Sequence, residues 1–207
     1  MIQSLKWRYA TKKFDVSKKV SAADLAILKE AVSLTASSYG LQPYKVLDVQ
    51  NPELREKLKP VSFGQPQITD ASNLFVFCAN DDLTAVHIDE FLKLTADTQK
   101  IDVALLKDFG DFMKGMFGSR TVADKHDWAA RQAYIGLGNL LTTASSMHID
   151  VCPMEGFDPS KYNEILGLTG TGYSAVVIAA IGYRSPDDDA QHKPKVRKPL
   201  KEFFETV

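Results

Sequence analysis

The sequence predicts an α+β fold in which helices outweigh strands, and three observations carry that expectation. "NLFVFCA" (73–79) and "YSAVVIAAIGY" (173–183) are continuous apolar runs of the kind that make strands buried on both faces. Between them, "DWAARQAYIGLGNLLTTASSM" (127–147) is apolar nearly all round and reads as a long buried helix. Neither an internal repeat nor a linker divides the chain, so residues 1–207 read as one domain, with a C-terminal arm from about 185 to 207 where composition changes sharply.

The elements follow in order. Ser21 with Asp24 three residues on spells a capping box, and Leu25, Leu28 and Val32 then repeat at helical spacing. "TASSYGLQP" ends that helix as a polar, glycine-containing loop, and "YKVLDV" behind it is short and β-prone. "PELREKLK" is a short helix with Pro52 in its first turn. Residues 83–118 carry helical patterns without a clean period and read as helices plus a mobile connection. Gly136 and Gly138 sit inside the long helix, where each costs roughly 1 kcal/mol against alanine; close helix or subunit packing would offset that. "CPMEGF" follows as a turn, and Asp158 before Pro159 caps a helix through "YNEIL".

Composition excludes several classes. The chain has 207 residues, 44% hydrophobic and 25% charged, with a formal net charge of −1. That is an ordinary globular composition with no field favouring nucleic acid or anionic membrane. No apolar run approaches the ~20 residues of a membrane span, and the opening stretch lacks an apolar signal core. Two cysteines, Cys78 and Cys152, lie far apart in apolar surroundings, so buried reduced thiols and a cytoplasmic location are expected. "GTGYSA" (170–175) matches a dinucleotide fingerprint only formally, since a helix precedes it and a strand follows. The histidines at 87, 126, 148 and 192 form no metal-binding pair, and no nucleophile elbow or Walker loop is present. Asp187–Asp189 beside the tail cations, without an aromatic platform, argue against a nucleic-acid module.

Four segments offer groups suited to one flat, anionic ligand: Arg8 and Lys12 in "RYATK", the hydroxyls and glycine of "SSYGLQP", the "PMEG" turn, and Lys195 with Arg197 in the tail. Each alone reads equally well as an ordinary turn or solvated loop. Taken in order, "RYATKKFD", "ASSYGLQPY", "GQPQITDAS", "PMEGFD" and "KPKVRKP" resemble the nitroreductase family of FMN-dependent NAD(P)H oxidoreductases, in its dihydropteridine reductase and oxygen-insensitive nitroreductase branch.

That resemblance implies a mainly antiparallel central sheet flanked by helices, and an intertwined homodimer to which the C-terminal arm contributes. It implies that Arg8, Lys195 and Arg197 meet the FMN phosphate, that the backbone of Tyr9 and Ala10 runs beside the cofactor, and that Lys12 reaches the flavin pyrimidine edge. Ser37, Ser38 and Gly40 would come from the other subunit. Pro153, Met154, Glu155 and Gly156 would lie along the flavin, with the Glu155 N–H at N5 and its carboxylate an orienting group. The sequence departs from the family at Ala10, Gly40 and Gly64, where serine, asparagine and asparagine are usual, and at Gln67, where some relatives carry lysine; Gln65 or Gln67 would supply neutral hydrogen bonds instead. Tyr39, Phe112, Met113 and Phe117 are candidate walls of an open acceptor cavity. The implied reaction passes hydride from NAD(P)H to FMN and two electrons onward, in ping-pong order, to a nitroaromatic, quinone, pteridine or flavin. A specialised relative such as an enoate reductase or a flavin-fragmenting enzyme, and a non-enzymatic flavin-binding protein, are the alternatives. No metal is expected.

Overall fold

The structure, a computed structural model, describes residues 1–207. Its strands are β1 (Tyr44–Asp48), β2 (Asn73–Asn80), β3 (Asp150–Met154) and β4 (Tyr173–Gly182). They form one antiparallel sheet in the order β1-β2-β4-β3. Its helices are α1 (Ile2–Trp7), α2 (Ala22–Ser33), α3 (Pro52–Leu58), α4 (Gln67–Asp70), α5 (Ala85–Gln99), α6 (Lys107–Gly118), α7 (Val122–Ser146), α8 (Pro159–Ile165) and α9 (Leu200–Phe203).

The two unbroken apolar runs become the central pair, with Asn73 opposite Ile181 and a bulge between Phe77 and Cys78. Side chains alternate across a strand. Leu74, Val76 and Cys78 of β2 therefore join Ile178 and Ala180 of β4 in one core cluster, while Phe75 and Phe77 join Val177, Ala179 and Ile181 in another. Complete burial of Phe75 or Phe77 is worth about 1.5–3 kcal/mol each. Leu58, Ile68 and Tyr162 from α3, α4 and α8 complete the first cluster, and Leu28 of α2 with Leu137 and Leu140 of α7 complete the second. A third gathers Ile88, Met113, Phe117 and Trp128 from α5, α6 and α7.

The two caps spelled in the sequence are formed. Ser21 Oγ accepts from the Asp24 N–H at 3.0 Å, and Asp158 Oδ1 accepts from Lys161 at 3.1 Å. A third, Asn51 Oδ1, accepts from Glu53 at 2.8 Å ahead of Pro52. Cys78 and Cys152 are both buried and unpaired.

Several expectations are corrected. "CPMEGF" does not simply follow the long helix as a turn, because β3 intervenes and ends at Met154. Pro153 has no N–H for a ladder, which disguised the strand; it is tolerated because β3 is an outer strand. The long helix starts at Val122, capped by Thr121 Oγ1 on Asp124 N–H at 3.1 Å. It is buried toward the sheet, α2 and, through Trp128 and Ala129, the α5–α6 pair, leaving Arg131, Ile135 and Gly138 exposed in one stripe. Gly136 meets a strand rather than a helix: a Cβ there would lie 2.7 Å from Tyr44 Oη, whereas at Gly138 nothing comes within 4 Å. The connection inside 83–118 is a helical turn, Val103–Leu106, capped by Asp102. Finally, the composition change at 185 is not where the chain leaves the body. Ser185 N–H donates to Lys13 O at 2.9 Å and Asp188 is 2% exposed; continuous exposure begins at His192.

Candidate active site

Arg8 ends α1 in extended conformation, and the backbone of Tyr9 and Ala10 continues past Pro153 of β3. Together with Lys193, Lys195 and Arg197 of the tail these residues line a cavity of about 460 Å³. Four cations thus converge on one space, and none of Arg8, Lys193, Lys195 and Arg197 pairs with a carboxylate. Their bonds go only to main-chain oxygens: Arg8 Nη2 to Tyr9 O at 3.2 Å, Arg197 Nη1 to Val196 O at 2.6 Å, and Lys195 Nζ to Arg8 O. Lost hydration pulls the Arg8 guanidinium below its ordinary pKa, and repulsion from Arg197 adds to this. Lys195 is lowered likewise, first by burial and then by Arg8, Arg197 and Arg184. A dianion placed among them would reverse both penalties.

The strip carrying Arg8 to Lys13 is held by a residue the sequence did not single out. Asp188 Oδ2 accepts from the Lys12 N–H at 2.7 Å, the Lys13 N–H at 3.1 Å and the Tyr9 hydroxyl at 2.8 Å; Oδ1 accepts from Ala190 N–H at 3.1 Å. Burial by itself would raise its pKa, but these bonds outweigh burial and hold the carboxyl below the usual aspartate value. Burial and the same bond push the Tyr9 phenol upward. A second anchor lies beneath, where buried Asp150 pairs with Arg184 Nη2 at 2.6 Å. The Arg184 guanidinium stacks 4.0 Å from the Trp7 ring and 4.6 Å from Tyr9. Three consecutive aspartates spell a solvated run, and nothing in the spelling separates the buried middle one.

Beyond β3, Glu155 and Gly156 leave the sheet. Gln65 Nε2 donates to Gly156 O at 2.8 Å and to Ser62 O at 3.0 Å. A Cβ on Gly156 would stand 3.1 Å from that nitrogen, so this glycine lets the Gln65 amide close on the loop. Gln65 therefore buttresses "PMEG" from behind. Gln67 is 5% exposed, its Oε1 has no partner, and the Cys152 thiol lies beside its amide; burial pushes that thiol up, against the pull of Lys12 and Arg8. An unpaired buried acceptor costs about 1–3 kcal/mol. Glu155 itself is exposed, and its Oε1 accepts from Tyr134 Oη of α7 at 2.6 Å.

Ser37, Ser38 and Gly40 are not brought to this place. Their loop enters β1 at one edge of the sheet, whereas "PMEG" leaves β3 at the other, three strand spacings or about 14 Å across. Ser38 N–H donates to Gln132 Oε1 at 2.8 Å. Tyr39 is left-handed at φ 59°, next to Gly40 at φ 75°, a conformation unfavourable for a bulky side chain. Its ring lies 6.3 Å from both Phe109 and Phe112 and 6.4 Å from Phe117. Met113 and Phe117 are 0% and 1% exposed. They are core residues behind this aromatic group rather than walls of an open cavity, because the buried stripe of α6 falls on them. Tyr39 and Phe112 are the candidates that present rings at the surface.

Comparison with known proteins places the chain. A Staphylococcus haemolyticus protein named "Putative NAD(P)H nitroreductase" is 34% identical over 215 residues, covering 100% of this chain and 97% of its own. A Bacillus subtilis crystal structure described as a "putative nitroreductase" superposes with a TM-score of 0.88 at 21% identity, covering 100% of this chain and 98% of that one. A structure from Exiguobacterium sibiricum, described as a "putative nitroreductase in complex with FMN", gives a TM-score of 0.84 at 20% identity, with 100% and 96% covered. The sequence model of the nitroreductase family matches residues 5–183. With that match spanning most of the chain and the curated relative aligned end to end, the chain belongs to the nitroreductase family.

Proposed function

We propose that this protein is an FMN-dependent oxidoreductase that takes hydride from NAD(P)H and delivers two electrons to a small-molecule acceptor. The observation that carries this reading is the trio Arg8, Lys195 and Arg197, lining one cavity beside Pro153 without an anionic partner. A phosphate monoester satisfies three cations at once, and a guanidinium fork is well matched to its oxygens. The buried, unpaired Oε1 of Gln67 fits a ring N–H, as the imide of a flavin offers. When bound, FMN supplies the two-electron chemistry; the chain's task is to hold and orient it.

In this assignment Arg8, Lys195 and Arg197 bind the phosphate, and the backbone of Tyr9 and Ala10 lies along the ribityl chain. Lys12 places its charge at the pyrimidine edge. Pro153, Met154, Glu155 and Gly156 form the ledge under the ring, with Gln65 fixing it from behind and the Glu155 N–H turned to N5. Ser37, Ser38 and Gly40 reach the site from the partner of a homodimer, for which their place at the opposite edge of the sheet from "PMEG" within one chain is the support. Tyr39 and Phe112 wall the acceptor cavity; a strained residue among exposed aromatics is a feature of ligand loops. Oxidised nicotinamide leaves before the acceptor binds at the same face, which gives ping-pong order with nitroaromatics, quinones, pteridines or flavins as acceptors.

The test is direct. The purified protein should be yellow, release FMN on heating as identified by mass, and bleach anaerobically with NADH or NADPH. Release of FAD, or of no flavin, would overturn the assignment; flavin that neither nucleotide bleaches would leave a passive binder.

A further inference from the structure

Tyr134 is absorbed by none of the roles above, yet it makes the one side-chain bond that Glu155 has in this chain. It stands midway along α7, the longest helix, on its exposed side. Its hydroxyl donates to Glu155 Oε1 at 2.6 Å, a charge-assisted bond, and a second acceptor, Val176 O of β4, waits at 3.5 Å. One hydroxyl proton cannot serve both, and the carboxylate at the shorter distance holds it. Burial and this bond together push the phenol upward, so it stays a donor. The same residue also lines a cavity of about 710 Å³, together with Asp81, His126, Ser160 and Asn163.

The "PMEG" ledge therefore has two ties of different origin: Gln65 grips the Gly156 carbonyl from the α4 side, and Tyr134 grips the Glu155 side chain from α7. The Glu155 backbone N–H lies just ahead of both ties, one bond from the Cα whose side chain Tyr134 holds. We propose that Tyr134 is a positioning residue, which pins Glu155 to the central helix and thereby aims the main-chain N–H of the ledge. This rests on the flavin assignment above. Because Val176 O offers the hydroxyl another acceptor, Glu155 can be released without stranding a donor, and the tie is a reversible one.

The experiment combines amide hydrogen exchange of residues 154–157, with and without FMN, and the flavin midpoint potential of the loaded protein, across Tyr134→Phe, Glu155→Gln, Glu155→Ala and the double variant Tyr134→Phe/Glu155→Ala. Phenylalanine keeps the ring and removes only the hydroxyl. Exchange in Tyr134→Phe should rise about tenfold, the scale of one lost charge-assisted bond. Glu155→Gln retains an acceptor and should stay near wild type in exchange; Glu155→Ala should match Tyr134→Phe, and the double variant should add nothing further. The potential of Tyr134→Phe should shift with its exchange rate. Unchanged exchange in both Tyr134→Phe and Glu155→Ala overturns the proposal, as does faster exchange with an unmoved potential. A wild-type protein that binds no FMN overturns the flavin assignment instead, while the exchange in its unliganded state still reads the tie. If Tyr134→Phe does not fold, Glu155→Ala against Glu155→Gln decides the same question.

Discussion

Replacing Asp188 by asparagine isolates what one buried carboxylate does for the candidate site. In the native protein Oδ2 takes three donors, from Lys12, Lys13 and Tyr9, and Oδ1 takes Ala190 N–H. Asparagine can present its single oxygen to the first three only by turning its NH₂ toward the Ala190 N–H, so one bond becomes a donor facing a donor. The remaining bonds lose their charge assistance, a difference of about 1 kcal/mol each. Discounting for the partial exposure of Tyr9 and Lys12, the total is about 3 kcal/mol. For a chain of this length that corresponds to a fall in Tm of about 6–12 °C, measured at fixed protein concentration because association also shifts Tm. The pH dependence supplies a second, independent check. The folded carboxyl lies below its unfolded value, so its contribution is present in full above the ordinary aspartate pKa and is lost as pH falls through the folded one. The gap between wild type and Asp188→Asn should therefore be widest near neutrality and close in acid. Equal Tm at neutral pH, or a gap that persists unchanged into acid, would refute the reasoning.

Three other perturbations should be informative. Arg197→Ala should weaken FMN binding about ten- to a hundredfold by titration, while the unliganded protein keeps or gains Tm because one of three mutually repelling cations is gone. Lys12→Met, loaded with FMN, should show a lower flavin potential by dye equilibration, about 30 mV for each 1.4 kcal/mol of lost interaction; an unmoved potential would leave Lys12 a solvated residue. Gly136→Ala should cost about 1–3 kcal/mol in denaturant unfolding through its clash with Tyr44, whereas Gly138→Leu should fold normally and weaken self-association in sedimentation.

The sheet's centre was legible because burial on both faces leaves a run such as "NLFVFCA" with no polar alternation to misread. Caps at Ser21 and Asp158 were legible because capping is local chemistry. β3 was not, since its short run contains a proline that argues against a strand unless its edge position is known. At the site, the residues resembling family motifs could be named one by one, but their supports could not. Tyr134 acts on a residue 21 positions away and Asp188 on one 179 positions away, and such long-range partners leave no periodic trace. The Asp150–Arg184 pair is hidden for the same reason. Gln65 illustrates the limit well: a glutamine near a ligand motif spells a ligand contact, and only the fold shows its amide turned to the Gly156 carbonyl.

The pairing of β2 with β4 also dictates when this chain can fold. Residues 73–80 and 173–182 are neighbours in the sheet, so the strand buried along its whole length lacks its central partner until the stretch between them and β4 itself have been made. At a synthesis rate of about 5–20 residues per second, the roughly 100 intervening residues take on the order of 5–20 s to emerge. Throughout that interval β2 can pair only with β1, whose strand is short and half-buried, and its other edge is open to any extended chain nearby. The sequence feature that makes the finished core secure is thus the one that leaves the nascent chain most in need of a chaperone.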